Sequence, residues 1–250
     1  MFNAIEQTKK IIEYIRNYYK ENNIKGAVIG ISGGKDSGVV AALFAKALGP
    51  ENVVGITMPC DSLETDKRDA KLVADKYGFE LIDVDLTDTF HTYEKQFEKF
   101  NQPDSIYIDS NINFKPRIRM ATLYYVAAMY SKIKQGTYIV AGTSNKSESF
   151  VGYFTKGGDS VCDIKVISDL TVSEVIKIGE VLEVPKEVLY KAPSDGLSGK
   201  TDEDKLGVTY ADIEKYMNNE ELPKEIKERI EYLNKSTRHK FNIPEYKKWE

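Results

Sequence analysis

A glycine-rich turn near the start of the chain has the composition of an anion site. The apolar segment "GAVIGI" (residues 26–31) runs directly into Ser32-Gly33-Gly34-Lys35-Asp36-Ser37, and a helical pattern follows at once. Glycines let the backbone approach a ligand closely, and a helix N-terminus presents unpaired N–H groups with the positive end of its dipole. The turn is therefore predicted to bind phosphate groups.

Two common phosphate-binding patterns do not fit this turn. A Walker loop needs glycine five residues before the Gly-Lys pair and Ser or Thr after the lysine, but this chain has Ile29 and Asp36 there. The pattern G-x-G-x-x-G fails as well, because the next glycine after Gly30 is Gly33. A plain strand–helix turn would need neither Lys35 nor Asp36, and a carboxylate at this place suits Mg²⁺.

The composition limits the classes of function. The chain has 250 residues and a net charge of −4, which gives no general attraction for nucleic acid or an anionic membrane. Its two cysteines form no Cys-x-x-Cys pair and it has only two histidines, so a zinc site is not expected and a metal would be held by oxygen. No signal peptide or membrane-spanning run is recognised, and a cytoplasmic location is expected.

Apolar strands alternate with helices in the first part of the chain, which predicts a doubly wound parallel sheet of the α/β class. The predicted strands are "GAVIGI", "NVVGITM", "ELIDVDL" and "TYIVAGT". The predicted helices are residues 4–21, the segment after Ser37, and residues 65–77, 88–100 and 117–134. Beyond residue 163 the pattern indicates a helical C-terminal part, and residues 1–250 are expected to form one domain.

The stretch "NFKPRIRM" (residues 113–120) carries three cations. Residues 101–113 are predicted to be a polar loop, and Pro116 favours a helix start there. Lys115, Arg117 and Arg119 would then lie near a helix N-terminus, where cations oppose the dipole. This arrangement indicates an anion-binding role, although most runs of charge are simply solvated surface.

Two further stretches follow predicted structure and are rich in polar residues. "VAGTSNKSESFVGYFTKGGDSVCD" (residues 140–163) is a long segment after a strand, and such loops are usually functional. "KAPSDGLSGKTDEDKLGVTYADIE" (residues 191–214) begins with Gly, Ser and Asp and is expected to be mobile, as a lid would be. The chain closes with the stretch "TRHKFNIP" (residues 237–244).

These stretches together resemble the ammonia-dependent NAD synthetases, a branch of the N-type ATP pyrophosphatases, and the resemblance runs from the first helix to about residue 244. It implies a Rossmann-like adenine nucleotide alpha hydrolase fold and a reaction of ATP, deamido-NAD and ammonia that gives NAD, AMP and pyrophosphate through an acyl-adenylate. It also implies a homodimer that uses small-molecule substrates and has no nucleic-acid or membrane partner.

The resemblance assigns roles by position. ATP would be bound by Gly30, Ile31, Ser32, Gly33, Gly34, Lys35, Asp36, Ser37, Thr143 and Ser194. Deamido-NAD would be bound by Arg117, Lys156, Asp163, His239 and Lys240. Asp36 and Glu148 would ligate Mg²⁺, and Lys35 with Asp36 would form the catalytic pair.

The chain departs from the family pattern after Asp163. Val166 and Val172 stand where the family usually has a proline and an ATP-contacting lysine, so Lys165 or another cation substitutes, or ATP is held less tightly. Two alternatives stay open: a tRNA-thiolating ATP pyrophosphatase, for which Cys60 and Cys162 are the only candidate thiols, and a nucleotide-binding sensor without chemistry.

Overall fold

A parallel sheet forms the centre of the computed structural model, which describes residues 2–61, 64–191 and 201–246, with the side chains of Glu64 and Asp104 excepted. Its strands in the described chain are β1 (Ile24–Gly30), β2 (Val53–Thr57), β3 (Glu80–Asp83), β4 (Thr137–Gly142) and β5 (Ile164–Lys165). The strand order is β3-β2-β1-β4-β5, and every neighbouring pair is parallel. The order reverses between β1 and β4, where open α/β sheets bind their ligands.

Helices alternate with the strands and continue beyond them. Their bounds are α1 (Ala4–Glu21), α2 (Lys35–Leu48), α3 (Glu64–Tyr77), α4 (Thr87–Lys95), α5 (Asp104–Ile133), α6 (Lys146–Phe150), α7 (Val172–Leu182), α8 (Lys186–Leu189), α9 (Asp202–Leu206), α10 (Tyr210–Met217) and α11 (Lys224–Thr237). Short 3-10 turns occupy Pro50–Asn52, Glu98–Phe100 and Arg238–Lys240. None of the described helices combines the length and apolar character that crossing a bilayer needs.

Both faces of the sheet are covered, as the apolar strands predict. Successive residues of β1 alternate between the faces, so Ala27 and Ile29 pack against α1, α2 and α7 while Val28 packs against α5. A separate apolar cluster joins α9, α10 and α11 to the segment after α6. The prediction of a doubly wound α/β sheet with a helical C-terminal part is confirmed.

The prediction for residues 101–134 is wrong in its first half. Residues 104–113 of the predicted loop are helical, because α5 begins at Asp104, directly after Pro103, and Pro116 lies inside the helix instead of at its start. A proline removes one internal hydrogen bond, but tertiary packing stabilises the N-terminal half of α5. The Phe114 ring stacks on Tyr93 of α4 with the ring centroids 4.0 Å apart.

Two smaller differences concern short elements. The helix expected over residues 88–100 ends at Lys95, and only a 3-10 turn follows it. Strand β5 was not predicted, because two residues carry no recognisable period. It adds the fifth strand beside β4 and brings the segment before it to the carboxyl edge of the sheet.

Candidate active site

A cavity of about 640 Å³ lies beyond the carboxyl ends of β1, β2 and β4. The turn after β1, the inner face of α5 and the segment after β4 form its walls. Gly30, Thr57 and Gly142 mark where the three strands meet it. The cavity therefore occupies the position at which a sheet of this order binds ligands.

The turn after β1 forms one end of the cavity. Gly33 has φ +77°, and a Cβ there would lie 2.5 Å from the Asp66 carbonyl oxygen, so the position requires glycine. Ser37 fixes the shape of the turn, because its hydroxyl accepts from the Ser32 N–H at 3.2 Å and donates to the Gly34 carbonyl at 3.0 Å. No described side chain caps the N-terminus of α2, which opens at Lys35. Its N–H groups are therefore available to an anion.

Asp36 and Glu148 are joined through one buried asparagine. Asn145 donates from Nδ2 to Asp36 Oδ1 at 3.1 Å, and its backbone N–H donates to Glu148 Oε2 at 3.2 Å. The Glu148 N–H donates in return to Asn145 Oδ1 at 3.0 Å, which completes a capping box at the start of α6. Lys35 Nζ lies 3.0 Å from Asp36 Oδ2. The loops after β1 and β4 therefore present two carboxylates and an ammonium together.

The acidic end of the cavity carries an excess of negative charge. Burial, followed by the charge of Asp36, raises the pKa of Glu148 well above its ordinary value. Burial lowers the pKa of Lys35, but the charges of Asp36 and Glu148 outweigh it and the net shift is upward. Asp202 adds a further carboxylate and is itself buried. A cation at this place would relieve the repulsion between the acids.

The donor set fits Mg²⁺ bound together with phosphate. Hard carboxylate oxygens are suitable ligands, and Mg²⁺ usually takes only one or two from the protein and the remainder from phosphates and water. Asp36 and Glu148 provide such a pair. In the described residues, no group of three or more His, Cys, Asp or Glu is arranged to hold a metal alone. Two protein carboxylates fit a Mg²⁺ ion whose remaining ligands are phosphate and water.

Helix α5 presents two cations to the cavity at helical spacing. Lys115 Nζ donates to Asp61 Oδ2 at 2.9 Å and to the Cys60 carbonyl at 3.1 Å, and Arg119 Nε donates to the Met58 carbonyl at 3.1 Å. Burial lowers the pKa of Arg119. Both lie in the middle of α5, so the argument from a helix N-terminus does not apply to them. Their i, i+4 spacing in the sequence could have predicted that both side chains lie on the same face of a helix.

Arg117 lies on another face of α5 and belongs to a chain of contacts with two other predicted residues, Lys156 and His239. Its guanidinium donates from Nε to the Lys156 carbonyl at 3.3 Å, and Lys156 Nζ donates to the His239 carbonyl at 2.9 Å. Lys240 Nζ donates to the Gly152 and Phe154 carbonyls, both at 2.8 Å. The structure therefore brings together four of the five residues assigned to deamido-NAD, and Lys240 alone among them lines the cavity.

Residues 7–244 match a protein family described as NAD synthase. The chain belongs to the NAD synthase family. It is 38% identical to an NH(3)-dependent NAD(+) synthetase from Carboxydothermus hydrogenoformans over 243 residues, 96% of each chain. The solved NMN synthetase from Francisella tularensis superposes with a TM-score of 0.89 at 31% identity and full coverage of both chains. An NH3-dependent NAD synthetase from Campylobacter jejuni gives 0.79 at 27% identity, covering 99% of this chain and 100% of that one.

Two of the site residues expected from the NAD synthase family are not found in the cavity wall. One lies outside the wall, and the other lies outside the described part of the chain. The exposed Asp163 is not part of the cavity lining; its carboxylate accepts from the Tyr124 hydroxyl at 3.0 Å and from the Val140 N–H at 2.8 Å. Ser194 belongs to residues 192–200, which the structure does not describe. Thr143, by contrast, lines the cavity.

Lys165 does not replace the lysine that the NAD synthase family usually has at the position of Val172. Val172 packs into the apolar cluster of α9, α10 and α11, and the exposed Lys165 does not line the cavity. Lys191 and Lys205 do line it. Lys191 Nζ is fixed on α3, 2.8 Å from Asp66 Oδ1 and 2.6 Å from Asp69 Oδ2.

Asp159 is a further acid of the cavity that the sequence did not single out. It lines the wall beside α5, and its Oδ1 accepts from the Thr155 N–H at 2.8 Å. Asp159 is exposed to the cavity, yet the protein around its carboxyl group raises its pKa through desolvation, against the opposing effect of its hydrogen bonds. A carboxylate with a raised pKa is a stronger base than a solvated one.

Proposed function

We propose that the chain catalyses the ATP-dependent amidation of deamido-NAD with ammonia, giving NAD, AMP and pyrophosphate. The observation that carries the proposal is the pair Asp36 and Glu148, held by Asn145 beside the uncapped N-terminus of α2. A sensor needs no such pair of repelling acids, whose repulsion a metal with a triphosphate would relieve. The family uses ATP, and the curated relative from Carboxydothermus hydrogenoformans is named as an NH(3)-dependent NAD(+) synthetase.

The first step forms an acyl-adenylate. An oxygen of the nicotinate carboxylate attacks the α-phosphorus of ATP, and the bond to the β-phosphate oxygen breaks, so that pyrophosphate leaves with the electron pair. The N–H groups at the start of α2 and the Lys35 ammonium bind the leaving pyrophosphate. Asp36 and Glu148 would hold Mg²⁺, which neutralises phosphate charge when bound.

The second step forms the amide. Ammonia attacks the acyl carbon, the carbon–oxygen bond to AMP breaks, and AMP leaves with the electron pair. The attacking nitrogen must lose a proton, and the Asp159 carboxylate with its raised pKa is the acceptor in the cavity wall. Ordering of the reactants in one cavity supplies much of the rate enhancement.

A second candidate substrate is nicotinic acid mononucleotide. The Francisella tularensis structure, at a TM-score of 0.89, is named an NMN synthetase. Of the five residues assigned to deamido-NAD, only Lys240 lines the described cavity. The same carboxylate would react in either nucleotide, so the size of the second nucleotide site decides between them. Competition of the two substrates in one reaction, read as the ratio of amide products, separates them.

A homodimer through α5 is part of the proposal. Tyr125, Met129 and Ile133 follow one another at i, i+4 spacing and are 74%, 40% and 60% exposed. Such an exposed apolar surface can pack against the same surface of a second copy of the chain, because a twofold dimer interface uses the same residues from both copies. Sedimentation of the wild type and of Tyr125→Lys tests it. A dimer that Tyr125→Lys dissociates supports the interface, and a monomeric wild type contradicts it.

The test is formation of the amide product with ammonium, with glutamine as the control nitrogen source. Amide, AMP and pyrophosphate in equal amounts, from ammonium and not from glutamine, are the expected result. Asp36→Asn should lower turnover by about a hundredfold or more while the melting temperature stays close to that of the wild type, because one charged oxygen is replaced without a change of volume. Turnover retained by Asp36→Asn, or binding of both substrates without products, would contradict the proposal.

A further inference from the structure

Three side chains are joined at the carboxyl ends of β2 and β3. The Thr57 hydroxyl donates to Asp83 Oδ1 at 2.6 Å, and Lys67 Nζ of α3 lies 2.7 Å from Asp83 Oδ2. Thr57 and Lys67 both line the cavity, whereas Asp83 does not. One carboxylate therefore holds an ammonium group at the side of the cavity that β2 forms.

The start of α3 packs against the turn after β1. A Cβ at Gly33 would lie 3.1 Å from the Asp66 Cα as well as 2.5 Å from its carbonyl oxygen, so the two backbones are in close contact. Lys67 follows Asp66 directly in the chain. Its backbone is therefore adjacent to the turn, while its side chain extends along the cavity wall toward the end of β3.

The ammonium of Lys67 lies to one side of the anion site at the start of α2. Helix α2 follows β1, and Asp83 ends β3, which is two strands away from β1 in the sheet. Neighbouring strands are about 4.8 Å apart, so the two places are separated by roughly 10 Å across the sheet. This distance leaves room for a further phosphate group between a pyrophosphate at α2 and the Lys67 ammonium.

The other groups of the cavity indicate which phosphate that is. On the far side of β1, the segment after β4 carries Asp159, the proposed base, and Lys240 donates to two carbonyls of the same segment. Deamido-NAD and ammonia therefore belong to the β4 side. The nucleotide end of ATP, which carries the α-phosphate, is left with the β2 side of the cavity.

We propose that Lys67 is a substrate-binding residue whose ammonium contacts the α-phosphate of ATP, the phosphate that AMP keeps. The inference rests on the proposed function, since it takes the pyrophosphate end of ATP to lie at the start of α2. The lysine can move from Asp83 to a phosphate oxygen, because their ion pair is partly exposed and such pairs are weak. Its charge also stabilises the negative charge that develops around the α-phosphorus during attack by the carboxylate.

The test is Lys67→Met, which keeps most of the length of the side chain and removes its charge. Calorimetry gives the dissociation constants of AMP and of pyrophosphate with Mg²⁺, and steady-state kinetics gives the Michaelis constants for ATP and deamido-NAD. We expect AMP to bind about tenfold more weakly and the Michaelis constant for ATP to rise by a similar factor, the effect of one hydrogen bond to a charged group. The constants for pyrophosphate and deamido-NAD should change less than about twofold. Lys67→Arg keeps the charge and should bind AMP within about threefold of the wild type.

Lys71→Met is the matched control. Lys71 lies one turn further along α3 and pairs with Asp75 at 2.8 Å, but neither of these residues lines the cavity. This variant should keep all of these constants at the wild-type values, and both methionine variants should melt close to the wild type, since exposed ion pairs contribute little to stability. If Lys67→Met binds AMP as the wild type does, or loses as much affinity for pyrophosphate as for AMP, the inference is overturned. Failure of the proposed function is a different result, because the wild type itself would then form no amide.

Discussion

Asn145 connects the two acids of the site by donating to Asp36 while it caps the helix that carries Glu148. The two residues of the first contact are 109 positions apart in the chain, with Nδ2 and Oδ1 3.1 Å from each other. Asn145 is completely buried. One side chain thus fixes the relative position of the loops after β1 and β4, and the spacing of the two carboxylates depends on it.

Substitution of Asn145 should separate this role from helix capping. Asn145→Ser keeps an oxygen that can accept from the Glu148 N–H but is too short to reach Asp36, and Asn145→Ala keeps neither. We expect both variants to need several-fold more Mg²⁺ for half-maximal amide formation. Only Asn145→Ala should lose the helix cap. That loss should lower the free energy of unfolding by about 1 kcal/mol and the melting temperature by a few degrees. A wild-type Mg²⁺ requirement in Asn145→Ser would contradict the role.

The raised pKa of Glu148 predicts a pH-dependent stability. The folded chain holds a proton at Glu148 that the unfolded chain releases near the ordinary value of 4.5. The free energy of unfolding therefore falls as the pH rises from 4.5 toward the raised pKa. Without Mg²⁺, the melting temperature of Glu148→Gln should exceed that of the wild type at neutral pH. The two melting temperatures should be equal at about pH 4, below which Glu148 is protonated in both the folded and the unfolded chain.

The same variant should lose the stabilisation that Mg²⁺ with pyrophosphate gives the wild type, because it lacks the charged ligand. Thermal melts across the pH range, with and without Mg²⁺ and pyrophosphate, measure both effects. Glu13→Gln on the exposed face of α1 is the control and should change neither. If Glu148→Gln melts below the wild type at neutral pH without Mg²⁺, the electrostatic description of this end of the cavity is wrong.

Arg117→Ala should raise the Michaelis constant for deamido-NAD about tenfold, equivalent to about 1.4 kcal/mol, and change that for ATP less than twofold. The guanidinium holds the Lys156 carbonyl, and Lys156 in turn holds the His239 carbonyl, so the substitution loosens the residues assigned to the dinucleotide. Arg16→Ala removes a similar arginine–carbonyl contact, to Ala47, far from the cavity. If Arg117→Ala raised both Michaelis constants equally, Arg117 would not belong to the deamido-NAD site.

Replacement of both cysteines by serine should leave amide formation within about threefold of the wild type. Burial raises the pKa of Cys60 and of Cys162, so neither thiol is ionised at neutral pH, and only a thiolate is a good nucleophile. Steady-state turnover of the folded double variant measures this. Loss of turnover without loss of the melting transition would instead favour a sulfur-inserting enzyme.

The fold was predictable where the sequence has a clear period. Buried strands and amphipathic helices alternate up to residue 142, and this alternation gives the parallel sheet with helices on both faces. Helix α5 shows where the local signals fail. Pro116 resembles a helix start, but the true start follows Pro103, and stacking of Phe114 on Tyr93 stabilises the polar first half. Such contacts between distant segments leave no local pattern.

The site was predictable in part, for a related reason. The turn at residues 32–37 has its own composition, so Lys35 and Asp36 could be selected directly. Asn145 carries a local signal as well, since Asn-x-x-Glu is typical of a capping box. Its contact with Asp36, and the place of Asp159 in the wall of the same cavity, depend on how distant loops meet, and no spacing in the sequence shows that.

Transfer of isotope tests most directly whether the carboxylate is adenylated at the turn before ammonia attacks. Deamido-NAD labelled with ¹⁸O in both carboxylate oxygens is converted with ATP, Mg²⁺ and ammonium, and mass spectrometry follows the products. We predict one ¹⁸O in the phosphate of AMP for each amide formed and none in pyrophosphate. Unlabelled AMP, or ADP with labelled orthophosphate, would contradict attack at the α-phosphorus and with it the placement of the leaving pyrophosphate.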